Sequence, residues 1–209
     1  MRAVKSTSSR TYRLGRRRLG AQETRARLVA AARQLLMSER ALGDLTLEAV
    51  ARRAGVTRLT VYHQFGSKTG LLEAVYDDLG QRGRIAENVT AAFRQPDPLE
   101  CLDALLHAFV ILWNTERAAI RRLRAMAALD KEFKGATERD QRRLAVMQAV
   151  VQRLDQQRRQ SFADAQTKAE ALAMLSSFEA FDALAGKVAD VDKVVAILAA
   201  LARAVVAAP

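Results

Sequence analysis

The stretch AGVTRLTVYHQFGSK, residues 54–68, decides how the chain is read. Taking Val61 as the inward reference and stepping about 100° per residue returns Phe65 to nearly the same face. Leu59, Thr60, Tyr62 and His63 then project away from it, so a short helix turns a leucine and a tyrosine outward. Thr57 is a good N-cap for this helix, and Gly55 supplies the positive φ that a tight turn between two helices requires. Ser67 caps the next helix, whose first residue is Lys68, a cation at the end where the helix dipole disfavours one.

Upstream, Thr46 opens a helix with Glu48 in its first turn and Leu47, Val50, Ala51 and Ala54 on its inner stripe. Ala51 and Ala54 are small enough for two helices to cross closely, which is helix-turn-helix geometry. A preceding helix starts at Ala21, with Leu28, Ala31, Ala32 and Leu35 at helical spacing, and Gly43 marks its exit. In such a unit the first turn of the second helix enters a major groove of double-stranded DNA. Arg58 is then the candidate for guanine, and Leu59 or the Thr60 methyl for a thymine methyl. Tyr62 and His63 are placed to hold phosphates and fix the register. The opening anomaly is thereby accounted for. Lys68 and the amides of a helix N-terminus jointly attract a phosphate, and the dipole penalty, at most about 1 kcal/mol, is small beside that contact.

Residues 46–75, TLEAVARRAGVTRLTVYHQFGSKTGLLEAV, resemble the tetracycline-repressor (TetR) family of one-component bacterial transcription regulators. The corresponding positions are Thr46, Ala51, the Ala54-Gly55-Val56 turn, Thr57, Thr60, Val61, Tyr62, Phe65, Lys68 and Leu71-Leu72. Leu59 stands where that family commonly has glycine or another small residue, and Gly70 where it usually has glutamate, so Gly70 is expected to loosen the first turn of its helix. The resemblance implies an all-α homodimer that grips a pseudo-palindromic operator through successive major grooves, and a C-terminal helical domain that binds a small-molecule effector and dimerises. The expected organisation is a flexible basic arm over 1–20, a three-helix DNA-binding domain over 21–67 and a helical effector-binding and dimerisation domain over 68–209. Arg16, Arg17 and Arg18 of the arm are candidates for an adjacent minor groove, with a solvated, disordered tail as the alternative.

Beyond Gln95, Pro98 suits the first turn of a helix bearing Leu102, Leu105, Leu106, Phe109, Val110 and Trp113. Two more helices are expected over 116–129 and 137–158, then a helical hairpin over 164–185 and 191–207 joined by GKVAD. The hairpin's broad apolar surface makes Leu172, Leu175, Phe178, Val194, Ile197, Leu198 and Leu201 the candidates for a two-fold interface. The candidate effector pocket takes its apolar and flexible residues from Phe109, Trp113, Met126, Met147 and Phe178, with His107 and Asn114 as polar contacts.

Charge agrees with a polyanionic partner. The 209 residues carry a formal net charge of +11, and residues 1–80 hold 15 basic against 7 acidic side chains. Two histidines and one cysteine make neither a metal cluster nor a nucleophile set, and no glycine-rich phosphate loop occurs, so neither an enzyme nor a cofactor is expected. The isolated Cys101 and the lack of a signal-type or membrane-spanning apolar run suit a cytoplasmic protein. The competing reading is a helical protein that coats nucleic acid without sequence preference.

Overall fold

A computed structural model describes residues 7–38, 42–130, 132–158 and 164–208, with side chains from residue 19 onward except those of Leu42 and Arg158. Eleven α-helices and one short 3-10 turn follow in order, with no strand among the described residues. They are α1 (Thr7–Met37), α2 (Leu47–Ala54), α3 (Arg58–Phe65), α4 (Lys68–Arg82), α5 (Ile85–Ala92), α6 (Pro98–Thr115), α7 (Arg117–Leu129), α8 (Gly135–Arg158), α9 (Ala165–Leu175), α10 (Phe178–Ala185) and α11 (Val191–Ala207). The chain divides into two compact units, residues 1–75 and 76–209, and the division falls inside α4 rather than at Ser67.

In the N-terminal unit, α1, α2 and α3 close on Leu28, Ala32, Leu36, Val50 and Val61, all buried. Each such leucine or valine contributes about 1.5–3 kcal/mol when fully removed from water. The backbone of residues 7–20 is helical, so the expected flexible arm is corrected over that range. Its Arg and Leu residues are good helix formers and simply continue α1 backward, Gly15 and Gly20 costing about 1 kcal/mol each. The side chains of Arg16, Arg17 and Arg18 lie outside the described residues.

The C-terminal unit is organised around α6, against which α5, α7, α8, α10 and α11 pack. Asp97 caps α6, accepting from the Leu99 amide at 3.0 Å, and Pro98 fills the first turn. Cys101, Leu102, Leu105, Leu106, Phe109 and Trp113 are buried along it. The hairpin's first arm is not continuous. It breaks at Ser176-Ser177, because serine hydroxyls compete locally for backbone groups: the Ser176 hydroxyl donates to the Ala173 carbonyl and Ser177 accepts from the Ala180 amide to cap α10. The break turns the Ser176 carbonyl toward the Trp113 indole N–H, which donates to it at 3.0 Å.

The hairpin's apolar surface is also corrected in part. Leu172, Val194 and Leu198 are buried inside the protomer, because α8 packs on α9 and α6 packs on α11. Met174, Ile197 and Leu201 remain exposed, with Leu175 half-buried.

Candidate nucleic-acid interface

The recognition element is assembled by caps. Thr46 accepts from the Ala49 amide at 3.1 Å and Thr57 from the Thr60 amide at 3.2 Å, each contributing about 1 kcal/mol to its helix end. Between the two helices Gly55 adopts φ 68° and ψ 36°, the left-handed region in which a side chain is strained. With Val61 buried, α3 turns Leu59 (61% exposed), Tyr62 (57%) and His63 outward, as its period predicts. Thr60 is only half-buried on the flank, its hydroxyl 2.9 Å from that of Thr57.

Arg58, first in α3, stands 3.6 Å from Glu48 of α2, with both side chains largely in solvent. Such a pair is worth little and does not hold Arg58 back from a stronger acceptor. Arg25 of α1 is a residue that helical periodicity does not single out. Its guanidinium lies 4.4 Å from the centre of the Phe65 ring and donates to the Gln64 carbonyl at 2.8 Å, fastening the C-terminal end of α3 to α1.

Lys68 is the first residue of α4, and Ser67 caps that helix by accepting from the Gly70 amide at 2.9 Å. Gly70 does not loosen this turn. A Cβ there would sit 2.2 Å from the Phe65 carbonyl oxygen, so glycine is what lets the end of α3 approach the start of α4 so closely. The sequence offers no signal for that approach because the clash partner is backbone.

The C-terminal unit contains a cavity of about 460 Å³, within the size range of ligand sites. Phe109 and Trp113 line it, their rings stacked with centres 6.1 Å apart. Phe178 backs Trp113 edge-on at 5.9 Å, and Met126 and Met147 are buried; none of the three is part of the wall. Asn114 is exposed and His107 faces a separate groove between α5 and α6, so neither supplies the cavity's polar contact. That part comes from residues the periodicity did not single out: Tyr76 of α4 and Arg139, Arg142 and Arg143 of α8.

Several charges of the C-terminal unit are paired. Arg124 joins Asp140 and Glu179, Arg143 joins Asp140 at 2.8 Å, and Arg117 and Arg121 both reach Asp182 at 2.6 Å. Burial works to raise the pKa of Asp140, but hydrogen bonds and charge from Arg124 and Arg143 win and hold it below the usual 3.8. Asp182 is depressed in the same way by Arg121 and Arg117. Among the described residues no cluster of His, Cys, Asp and Glu suited to a metal ion occurs, and no helix is long and apolar enough to cross a membrane.

Residues 28–75 match the family model described as bacterial regulatory proteins, tetR family. The chain is 35% identical over 86 residues to the transcriptional regulator TtgR of Pseudomonas putida, a stretch covering 41% of this chain and 40% of that protein. It is 44% identical over 55 residues to SrpR of Pseudomonas putida, covering 26% of this chain and 25% of that one. The chain thus matches less than half the length of these relatives. Two solved structures share the fold over most of the chain. A TetR-like transcriptional regulator from Rhodococcus sp. RHA1 has TM-score 0.68 at 21% identity, covering 89% of this chain and 97% of that one. NalD, the secondary repressor of the MexAB-OprM multidrug efflux pump in Pseudomonas aeruginosa, has TM-score 0.59 at 24% identity, covering 85% and 93%. The chain thus carries, in residues 28–75, the helix-turn-helix segment that the tetR family model describes, and the rest shares the fold of these solved structures.

Proposed function

We propose that this chain is a cytoplasmic transcriptional repressor that binds a pseudo-palindromic DNA operator as a homodimer and is released by a small molecule. The observation that carries the reading is the outward face of α3, where Leu59, Tyr62 and His63 stand exposed on a helix fixed at both ends. Arg58 and Leu59 read base edges, Thr60 supports them, and Tyr62, His63 and Lys68 hold phosphates, while Thr46 and Thr57 set the helix ends. Arg16, Arg17 and Arg18 remain the sequence's candidates for an adjacent minor groove. The exposed Met174, Ile197 and Leu201 supply an apolar face for the second copy.

The effector occupies the cavity of the C-terminal unit. Tyr76, Asp77, Leu79, Gly80 and Gln81 of α4 line that cavity, and the same helix begins with Lys68, so a ligand that favours one position of α4 also biases the DNA-binding end. It does so only to the extent that it binds the two states with different affinity. Titration of a duplex carrying a motif selected from random DNA tests the reading by fluorescence anisotropy. Two protomers per duplex and a scrambled duplex bound at least a thousandfold more weakly are expected. Equal affinity for both duplexes would favour the coating protein instead.

A further inference from the structure

Where α3 meets α4 stands a cation that the proposed function leaves unused. Arg25 of α1 is an exposed residue, yet its guanidinium is held in place. One face lies on the Phe65 ring, 4.4 Å from its centre, and one N–H is donated to the Gln64 carbonyl at 2.8 Å. A guanidinium carries several further N–H donors, and these find no acceptor among the described residues. No carboxylate among the described residues pairs with it either, whereas Arg117, Arg121, Arg124 and Arg143 of the C-terminal unit are each spent on an aspartate. A ring and a carbonyl therefore fix the group and leave its full charge in solvent.

Its place decides what that charge can serve. Gln64 follows His63 directly, and only Gly66 and Ser67 separate Phe65 from Lys68. The carbonyl end of a helix is its negative pole, and the end of α3 lies against the start of α4, the Phe65 oxygen being the atom that a Cβ on Gly70 would strike. A phosphate drawn to Lys68 would meet that negative end; Arg25 covers it. Resting on the DNA-binding reading above, we propose that Arg25 is a further phosphate ligand of the same face. Clamped on the end of α3, its guanidinium donates to a backbone phosphate beside the one held by Lys68 and reads no base. Because the group is fixed before the phosphate arrives, binding costs it little side-chain entropy.

The full chain, Arg25→Gln and Arg25→Lys are titrated by fluorescence anisotropy with a duplex carrying a motif selected from random DNA and with its scrambled counterpart, over about 50 to 200 mM salt. Arg25→Gln should flatten the slope of log affinity against log salt by about 0.9 on both duplexes. It should weaken both about fivefold near physiological salt and leave their ratio unchanged. Arg25→Lys, still a cation, should keep the native slope. A residue that only positions α3 would behave otherwise: an unchanged slope in Arg25→Gln, a loss confined to the selected duplex, or a variant that has lost helicity by circular dichroism would each overturn the proposal. So would a slope in Arg25→Lys as flat as that of Arg25→Gln. The native chain keeps two failures apart. If it prefers the selected duplex and the variant slopes do not move, this inference alone is removed, whereas equal native affinity for both duplexes removes the regulatory reading beneath it.

Discussion

In the N-terminal unit Leu59 and Tyr62 stand in solvent on a helix tied down by the Thr57 cap and Arg25; in the C-terminal unit Glu116, Arg143 and Lys168 are buried. The first unit leaves apolar surface outside, and the second brings charge inside. Leaving Leu59 exposed forgoes about 1.5–3 kcal/mol that burial would contribute, so this face gives nothing to folding and is available to a partner. The buried charges are different in kind, because each is neutralised. Glu116 meets Arg82 at 3.3 Å, and the Lys168 ammonium donates to the Ala208 carbonyl at 2.5 Å, closing the C-terminal end of α11. Exposure without a partner marks the proposed DNA face, and satisfied burial marks scaffold.

The comparison can be broken most sharply at Arg143. Arg143→Ala leaves Asp140 with one partner fewer and the Ala173 carbonyl without its donor, and should lower unfolding free energy by about 3 kcal/mol in urea titrations. A loss under about 0.5 kcal/mol would mean that the buried charges are not scaffold. On the other side, Arg58→Ala should leave the melting transition in place and cost about 1–3 kcal/mol of discrimination at one or two base pairs, read by competition among operator variants. Lys68→Ala acts more evenly. It should weaken all duplexes alike and flatten the slope of log affinity against log salt by about one, and an unchanged slope would remove Lys68 from the phosphate contacts.

Acid provides a conditional test. Asp140 and Asp182 have folded pKa values below 3.8, so their contribution is complete above the unfolded value and is lost as pH falls through the folded ones. Thermal melts should therefore be steady from pH 7 to about 5 and fall steeply below about 4, with Asp140→Asn showing a shallower acid limb. The smallest expected effect is at Leu59. Leu59→Ala should shift stability by less than about 0.5 kcal/mol while altering base preference, and a larger stability loss would place Leu59 in the fold rather than on the DNA.

The N-terminal unit was legible because its signals are local: two threonine caps, one positive-φ glycine and a helical period lie within 20 residues of one another. What escaped there, the Arg25 grip on Phe65 and the Gly70 approach to Phe65, joins positions through space or through backbone. The C-terminal unit was legible only as helices. Phe109 and Trp113 were found as aromatics on one stripe, but Tyr76, Arg139 and Arg143 come to the cavity from α4 and α8, and sequence spacing carries no trace of that meeting. For the same reason the hairpin looked like one interface. Nothing in residues 164–207 reveals that α8 and α6 pack on the hairpin, burying Leu172, Val194 and Leu198 and leaving Ile197 and Leu201 outside. The Ser176-Ser177 break was visible as a pair of serines in an alanine-rich run, yet its consequence, a carbonyl for Trp113, was not.

The central claim is that the outward face of α3 reads a symmetric DNA sequence. Its most direct test is selection of bound duplexes from a randomised library at near-physiological salt, followed over several rounds by sequencing. Enrichment of one motif with two-fold symmetry, its half-sites about one helical turn apart, is the expected result. Retention of DNA without an enriched motif, or no retention at all, would contradict it.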